Sequence, residues 1–121
     1  MKFENEIKEN VRMGYVELLI LKMLTEQEMY GYQIRQELDR RTQGAFQIKE
    51  GSLYGPLYRM SERKLISAHK ELVGEKRFRN YYRIEDSGRE YLEFAMREME
   101  IVFAGIKALF EWEGDDDENA E

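Results

Sequence analysis

The spacing of apolar residues changes period about half-way along the chain, and this change restricts the folds that the sequence can adopt. Leu53, Leu57 and Met60 recur at i, i+4 and i+7, which is the spacing of one face of a helix. Phe78–Ile84 instead alternates apolar with polar side chains and is rich in aromatic residues, which is typical of a strand. The sequence therefore predicts an α+β fold that is mainly α, with its helices ahead of a short sheet.

Three helices are predicted ahead of this change. Met13–Met23 is densely apolar and rich in helix formers, so it predicts a buried first helix. A second helix is expected from Gly31 to about Arg41, and Gly44 is suited to the left-handed conformation that ends a helix. The third helix is predicted over Gly51–Lys64. It tolerates Pro56 if that residue stands in its first turn, where the missing amide would be unpaired anyway.

Two strands follow the third helix. Leu65–Val73 and Phe78–Ile84 are predicted to pair as a hairpin with a short basic tip. Lys76 and Arg77 at the tip, with Arg79 beside them, suit contact with the backbone or the minor groove of DNA. Three helices followed by a hairpin with a basic tip is the element order of a winged helix-turn-helix.

The last helical segment has the most regular pattern in the chain. Six apolar residues step by 3, 4, 3, 4 and 3 positions, as in a coiled coil: Leu92, Ala95, Met99, Val102, Ile106 and Leu109. Met96, Phe103 and Phe110 add a second stripe, and Ser87–Glu90 matches a capping box at the start. So wide an apolar face predicts a homodimer in which a second copy covers it. The alternative is a helix that packs back on its own domain.

We expect four segments along the chain. Residues 1–10 form an N-terminal arm, either frayed or helical, and residues 11–85 form the winged helix-turn-helix DNA-binding domain. Residues 86–112 form a long C-terminal dimerisation helix. Residues 113–121 form an acidic tail that is expected to be disordered, because its like charges repel one another.

The charge of the chain is unevenly distributed. The net charge is −6, but residues 59–83 carry eight Lys or Arg against three Glu, a local balance of +5. The rest carries −11, and seven of its acidic residues fall within residues 111–121. Because phosphates respond to the local field, an acidic protein can still present a basic face to DNA. Charge alone leaves two interpretations open, a DNA-binding face or an ordinary solvated surface.

The third helix carries the predicted contacts to bases and phosphates. Hydroxyl groups near a helix N-terminus suit phosphate oxygens, and arginine suits guanine edges or phosphates. Five side chains lie off the buried stripe and are the candidates: Ser52, Tyr54, Tyr58, Arg59 and Arg63. For Tyr58 an alternative stays open, in which the ring completes the core.

Other functions find little support in the composition. The chain has no Cys and a single His, His69, so thiolate sites and a two-His metal site within one chain are excluded; we expect no metal and no cofactor. Ser61–Lys64 matches Ser-x-x-Lys, but the companion motifs of that chemistry are missing, so no enzyme is expected. The sequence has no secretory signal pattern, and its longest apolar run, Leu18–Leu21, is too short for a membrane span. We expect a soluble cytoplasmic protein.

Three segments in register resemble the PadR family of bacterial transcriptional regulators. They are Met29–Ile34, Gly51–Met60 and Arg79–Gly88, and their order and intervals agree with the family pattern. The resemblance extends from about Val11 to Phe110. Two small departures are Gly55-Pro56, where the family has Pro directly after the Tyr, and Glu85 in place of a capping Thr.

The resemblance implies a dimeric repressor whose recognition helix and wing contact a pseudo-palindromic operator. The short C-terminal region is similar to the subgroup that includes multidrug-sensing repressors, some of which hold flat aromatic compounds between paired Trp residues at the dimer centre. The corresponding position here is Met99. Met99, Met96 and Phe103 could line an adaptable pocket for a small hydrophobic effector. The alternative is a filled dimer core.

These observations combine into one hypothesis, a cytoplasmic transcriptional regulator that binds double-stranded operator DNA as a homodimer and acts as a repressor. Its rival is a winged-helix module for protein–protein interaction, which the acidic balance of the chain would suit. Salt dependence separates the two, because DNA binding through phosphates weakens steeply as salt rises.

Overall fold

The computed structural model describes residues 1–115, which form five helices and a three-stranded antiparallel sheet. The elements follow in the order α1 (Glu4–Arg12), α2 (Val16–Leu24), β1 (Met29–Tyr30), α3 (Gly31–Arg41), α4 (Glu50–Glu62), β2 (Ile66–Val73), β3 (Arg77–Ile84) and α5 (Asp86–Phe110). This is the predicted winged helix-turn-helix with a long C-terminal helix. Within residues 1–115, none of the helices combines the length and apolarity that a membrane crossing requires.

The core lies between α2, α3 and α4 and is closed by the sheet. The predicted inner stripe of α4 is fully buried, with Leu53, Leu57 and Met60 each at most 1% exposed. Ile34 and Leu38 of α3 are equally buried and meet that stripe from the other side. Burial of this kind stabilises a fold by roughly 1.5–3 kcal/mol per large apolar side chain. These residues therefore hold α4 in place and leave its other faces free.

The sheet has the strand order β1-β3-β2. The predicted hairpin of β2 and β3 pairs along its whole length, from Ile66 opposite Ile84 to Val73 opposite Arg77. β1 has only two residues and pairs with the middle of β3, Met29 opposite Tyr82. It was not predicted, because two residues carry no periodicity and the partner lies more than fifty positions away.

Two helices end with a residue in the left-handed conformation. Gly44 has a φ of +83°, as predicted, but Gln43 before it also has a positive φ, +54°. Lys64, which follows α4, also adopts the left-handed conformation, with a φ of +61°. Each end has the paired hydrogen bonds of a Schellman motif; for α4 they run from Lys64 N to Ser61 O and from Leu65 N to Met60 O. Because this helix end is compact, β2 begins only a few residues after α4 ends.

Two predictions about helix ends were wrong. α4 begins at Glu50, so Pro56 is its seventh residue and lies in the second turn rather than the first. The proposed capping box at Ser87–Glu90 is absent, because α5 already begins at Asp86 and the Ser87 hydroxyl donates a hydrogen bond to the Lys64 carbonyl at 2.6 Å. The Ser87 hydroxyl therefore makes a tertiary hydrogen bond and does not form the helix cap that the sequence pattern predicted.

The start of α5 is packed closely against the corner between α4 and β2. A Cβ atom on Gly88 would lie 2.1 Å from the Leu65 carbonyl oxygen and 2.8 Å from Cγ1 of Ile84, so only glycine fits. The Glu85 amide also donates to the Leu65 carbonyl, at 2.9 Å. The Ser67 hydroxyl donates to the Glu85 carboxylate, and this bond, helped by the charge of Arg83, lowers the pKa of Glu85.

The ends of the chain differ from one another. The N-terminal arm is the helix α1, so the helical alternative is correct, and none of its residues is buried. Its last residue, Arg12, donates a hydrogen bond to the Ala45 carbonyl beyond α3. α5 ends at Phe110, two residues before the predicted end. Of the predicted acidic tail, residues 116–121 lie outside the described residues.

Candidate nucleic-acid interface

α4 presents polar and aromatic side chains to solvent. Ser52 is exposed, and the side chains of Tyr54 and Tyr58 are 53% and 67% exposed. Tyr58 therefore does not complete the core, which was the alternative left open by the sequence. All three predicted side chains are therefore accessible to a ligand.

The two predicted arginines of α4 are turned toward other helices. Arg59 Nε lies 2.9 Å from a carboxylate oxygen of Glu17 on α2, and Arg63 Nη1 lies 3.9 Å from the other oxygen. The Arg63 guanidinium also lies over the ring of Tyr91 on α5, 4.9 Å from its centroid. Its interaction with Tyr91 is the main cause of the raised pKa of Arg63. Both arginines are partly exposed, but each has a partner on another helix.

The tip of the hairpin carries the predicted wing residues. Lys76, in the turn, and Arg77, at the start of β3, are exposed. Gly74 supplies the positive φ of the turn, +80°. Arg79 differs from the other two, because its guanidinium lies over the ring of Tyr30, 4.3 Å from the centroid. Its charge is thus held close to the sheet, two residue pairs away from the last pair at the tip, Val73 opposite Arg77.

One candidate was missed by the sequence analysis. Tyr32, the second residue of α3, is 59% exposed. Its neighbour Gly31 sits against α4, since a Cβ atom at Gly31 would lie only 3.6 Å from Cδ2 of Leu53. The start of α3 therefore lies beside α4, and Tyr32 is an exposed aromatic side chain near that start. In the sequence, its place within the Met29–Ile34 motif is the one signal that marks it.

The predicted dimerisation stripe of α5 divides into two halves. Leu92 is buried in the core of its own domain, and Ala95 and Met99 are half-buried against α2. Further along the helix the remaining predicted residues are open, with Val102 and Ile106 each 47% exposed. Leu109 is 72% exposed. The helix thus packs on its own domain at its start and leaves its second half uncovered by residues 1–115.

A cavity of about 400 Å³ lies between α5 and the start of α2. Met99 and Phe103 line it, as predicted for an effector pocket, whereas Met96 lies outside its lining. The ring of Phe103 contacts that of Tyr15, the residue just before α2, with centroids 5.8 Å apart. The lining is apolar and aromatic except for a single carboxylate, that of Glu98.

Comparison with protein families identifies the relatives of this chain. Residues 20–94 match the model of the transcriptional regulator PadR-like family. The chain belongs to this family. PadR-like proteins are transcriptional regulators and not enzymes, as the sequence predicted, and the winged-helix fold is confirmed by their structures.

Several proteins are similar to this PadR-like regulator. An uncharacterized protein of Lysinibacillus sphaericus is 35% identical over 92 residues, which are 76% of this chain and 84% of that protein. The crystal structure of a PadR-like transcriptional regulator from Bacillus cereus strain ATCC 14579 is 31% identical with a TM-score of 0.73, covering 86% of this chain and 99% of the other. Bacillus subtilis PadR, crystallised in complex with operator DNA, shares the fold at 22% identity, with a TM-score of 0.62 over 66% of this chain and 45% of its own.

One group of possible metal ligands occurs in the described part of this PadR-like chain. The single histidine, His69, is half-exposed on β2, and its Nε2 lies 3.0 Å from the Glu71 carboxylate and 3.3 Å from that of Glu28. The ring stacks on Tyr81, with centroids 5.9 Å apart. The three donor atoms lie within 4.8 Å of one another. The same distances are those of hydrogen bonds between an imidazole and two carboxylates.

Proposed function

We propose that this PadR-like regulator is a repressor that binds a pseudo-palindromic operator as a homodimer. In this proposal α4 enters the major groove and the hairpin of β2 and β3 follows the phosphate backbone beside it. The observation that carries the proposal is the exposure of Ser52, Tyr54 and Tyr58 on α4, together with a wing whose tip is basic and exposed. An α-helix fits the major groove of B-DNA, and a basic hairpin suits the adjacent backbone.

Each side chain has a proposed role that follows from its chemistry. The hydroxyls of Ser52 and Tyr54 stand near the start of α4, where free backbone amides also attract phosphate oxygens. Lys76 and Arg77 would contribute affinity and salt dependence rather than sequence choice. Bacillus subtilis PadR, which shares this fold, has been crystallised in complex with operator DNA. The likeness supports DNA as the ligand of this chain.

The homodimer is supported by the open half of α5. Val102, Ile106 and Leu109 form an apolar stripe that residues 1–115 leave uncovered, and a second copy would bury it. Two copies related by a two-fold axis would place two α4 helices in successive major grooves, about one helical turn of DNA apart. We therefore assign residues 11–85 to DNA binding, residues 86–112 to dimerisation and residues 1–10 to an arm.

A small hydrophobic effector is the second ligand that we propose. The cavity lined by Met99 and Phe103 opens beside the uncovered half of α5, so an occupant would contact the element that sets the distance between the two copies. Met99 gives this wall adaptable shape, since its side chain is flexible and polarizable. An occupant would act by favouring one of two arrangements of the dimer.

The proposed function is tested by selecting DNA from a random-sequence pool with the purified protein, followed by footprinting of the selected duplex. A homodimeric reader should enrich an inverted repeat with half-sites about one helical turn apart, and its binding should weaken steeply between low and physiological salt. A protein–protein interaction module should enrich no sequence. Recovery of no common sequence, with binding that is indifferent to salt, contradicts the proposal.

A further inference from the structure

Glu17 on α2 is placed to control how α4 uses its arginines. Its carboxylate lies between two guanidinium groups, 2.9 Å from Arg59 and 3.9 Å from Arg63. The Glu17 side chain is 23% exposed, whereas that of Arg59 is 61% exposed. The acidic partner is therefore anchored in the domain, and the basic partner is the one that reaches outward.

The lack of a side chain at Gly55 leaves room for the Arg59 guanidinium on α4. A Cβ atom on Gly55 would lie 3.3 Å from Arg59 Nη1, so the guanidinium lies above Gly55, one turn nearer the start of α4. That is the half of the helix that carries Ser52 and Tyr54. The ion pair with Glu17 and the room above Gly55 together place the Arg59 guanidinium beside the exposed polar side chains of α4.

A held arginine discriminates between DNA sequences better than a free one. Fixing a long side chain on binding costs conformational entropy, and a side chain that is already fixed avoids part of this cost. A fixed guanidinium also reaches base edges in one geometry only. A free arginine finds a phosphate on any sequence, and phosphate contacts carry no sequence information. The carboxylate of Glu17 further repels phosphates that approach in the wrong register.

From this geometry we propose that Glu17 is a positioning residue for operator recognition. By holding Arg59 it lowers the affinity for DNA in general and raises the preference for the operator. The inference rests on the proposed DNA-binding function and adds to it a residue that lies on another helix. No sequence motif marks Glu17, because its role depends on how α2 packs against α4.

The test compares the affinity of each variant for the selected duplex and for a scrambled duplex of the same length and composition. Glu17→Gln keeps the shape of the side chain and removes its charge. It should bind the scrambled duplex more tightly, with a steeper dependence on salt, and its preference for the selected duplex should fall by about tenfold. Glu62→Gln is the control, because it removes the same charge from α4 itself and Glu62 makes no ion pair within residues 1–115.

Two further variants separate positioning from charge. Glu17→Asp keeps the charge but shortens the reach by one methylene, so the preference should fall, and the affinity for the scrambled duplex should rise less than in Glu17→Gln because the carboxylate still repels phosphates. In an Arg59→Ala background, Glu17→Gln should change the preference little. Circular dichroism checks that each variant is folded; an exposed ion pair of this kind contributes little to stability.

The outcomes distinguish this inference from the proposed function. Glu17 has no positioning role if Glu17→Gln and Glu62→Gln lower the preference for the selected duplex equally. The same conclusion follows if Glu17→Gln lowers that preference as much in the Arg59→Ala background as in the parent protein. If the parent protein selects a sequence and Glu17→Gln keeps its full preference, the inference is wrong and the DNA-binding function stands. If the parent protein selects no sequence, it is the proposed function that fails.

Discussion

At the scale of single residues, Gly88 shows how one missing atom determines where an element can lie. Its Cα faces the Leu65 carbonyl so closely that any side chain would collide with backbone, which cannot rotate out of the way as a side-chain end can. The contact joins the start of α5 to the corner where α4 becomes β2. The resemblance to the PadR family included Gly88, but the physical reason for a glycine there is visible only in the packing.

We predict that Gly88→Ala destabilises the protein by about 3 kcal/mol, the upper part of the range for overpacked interiors. The new Cβ would require α5 or the Leu65 peptide to move. Urea unfolding followed by circular dichroism measures the change. Gly51→Ala is the matched control, because nothing lies within 4 Å of a Cβ at Gly51, and this exchange should stabilise α4 by up to about 1 kcal/mol. Equal stability of the two variants would contradict the close approach of Gly88 to Leu65.

At the scale of elements, α3 gains stability from a cluster of charges on its exposed side. Arg40 Nε and Nη2 donate to the two carboxylate oxygens of Glu37 at 2.7 and 2.9 Å, and Arg41 Nη2 contacts the same carboxylate at 3.1 Å. The hydrogen bond from Arg40 is the main cause that lowers the pKa of Glu37 to about 2. Charge pairs at i, i+3 and i, i+4 of a helix are neighbours, so this cluster is local.

A pH dependence follows from this lowered pKa. Because Glu37 has a lower pKa in the folded chain than its ordinary value of 4.5, its stabilising effect is complete above pH 4.5 and is lost as the pH falls toward 2. Glu37→Gln removes the effect at every pH. We therefore expect the difference in stability between parent and variant to be largest near neutral pH and to shrink below pH 4.5. Urea unfolding at a series of pH values measures it, and a difference that is constant with pH contradicts the prediction.

The wing is an element whose contribution to DNA binding can be isolated. Replacing Lys76 and Arg77 with Ala should weaken binding to all duplexes alike and lower the slope of log affinity against log salt by about 2, since each phosphate contact contributes about 0.9. The control is a double variant of Lys22 and Lys107, which removes the same charge from α2 and α5. Gel shifts at several salt concentrations give the slopes; undiminished binding of the wing variant rules out this assignment.

The prediction of elements from sequence succeeded where the pattern was local and failed where a partner was distant. The second predicted helix, α3, has the observed bounds Gly31 to Arg41, since its apolar spacing lies within it and its end signal, Gly44, follows directly. β1 was missed because its existence depends on β3. The capping role of Ser87 was wrong because the Lys64 carbonyl lies closer in space than in sequence. The direction of Arg59 likewise depends on a carboxylate 42 positions away.

At the scale of the whole molecule, α5 is the element on which the proposed homodimer depends. The sequence left two interpretations of its apolar stripe, packing on its own domain or pairing with a second copy. The first applies to Leu92, Ala95 and Met99, which are buried or half-buried, whereas Val102, Ile106 and Leu109 are left uncovered by the described chain. Periodicity identified the residues of the stripe, but only the packing of α5 on α2 shows where the covered part ends.

We predict that Ile106→Glu converts the protein to a monomer, because a carboxylate would have to be buried at the centre of the proposed interface. Sedimentation velocity should give about 14.6 kDa for this variant and about twice that mass for the parent protein. Lys107→Glu, one position further around the helix, introduces the same acidic residue outside the stripe and should leave the dimer intact. A parent protein that sediments as a monomer would falsify the homodimer.

The junction at Gly88 also has a mechanical consequence. The end of α4, the base of the hairpin and the first turn of α5 share the Leu65 and Lys64 carbonyls, so a change in the direction of α5 moves all three together. α5 has 25 residues, which at 1.5 Å per residue make a lever about 37 Å long. If α5 rotates by about 5° about one of its ends, the other end moves by about 3 Å, which is about the rise of one base pair. In the proposed homodimer, a ligand that turned α5 slightly would therefore need no contact with DNA to misalign the two α4 helices.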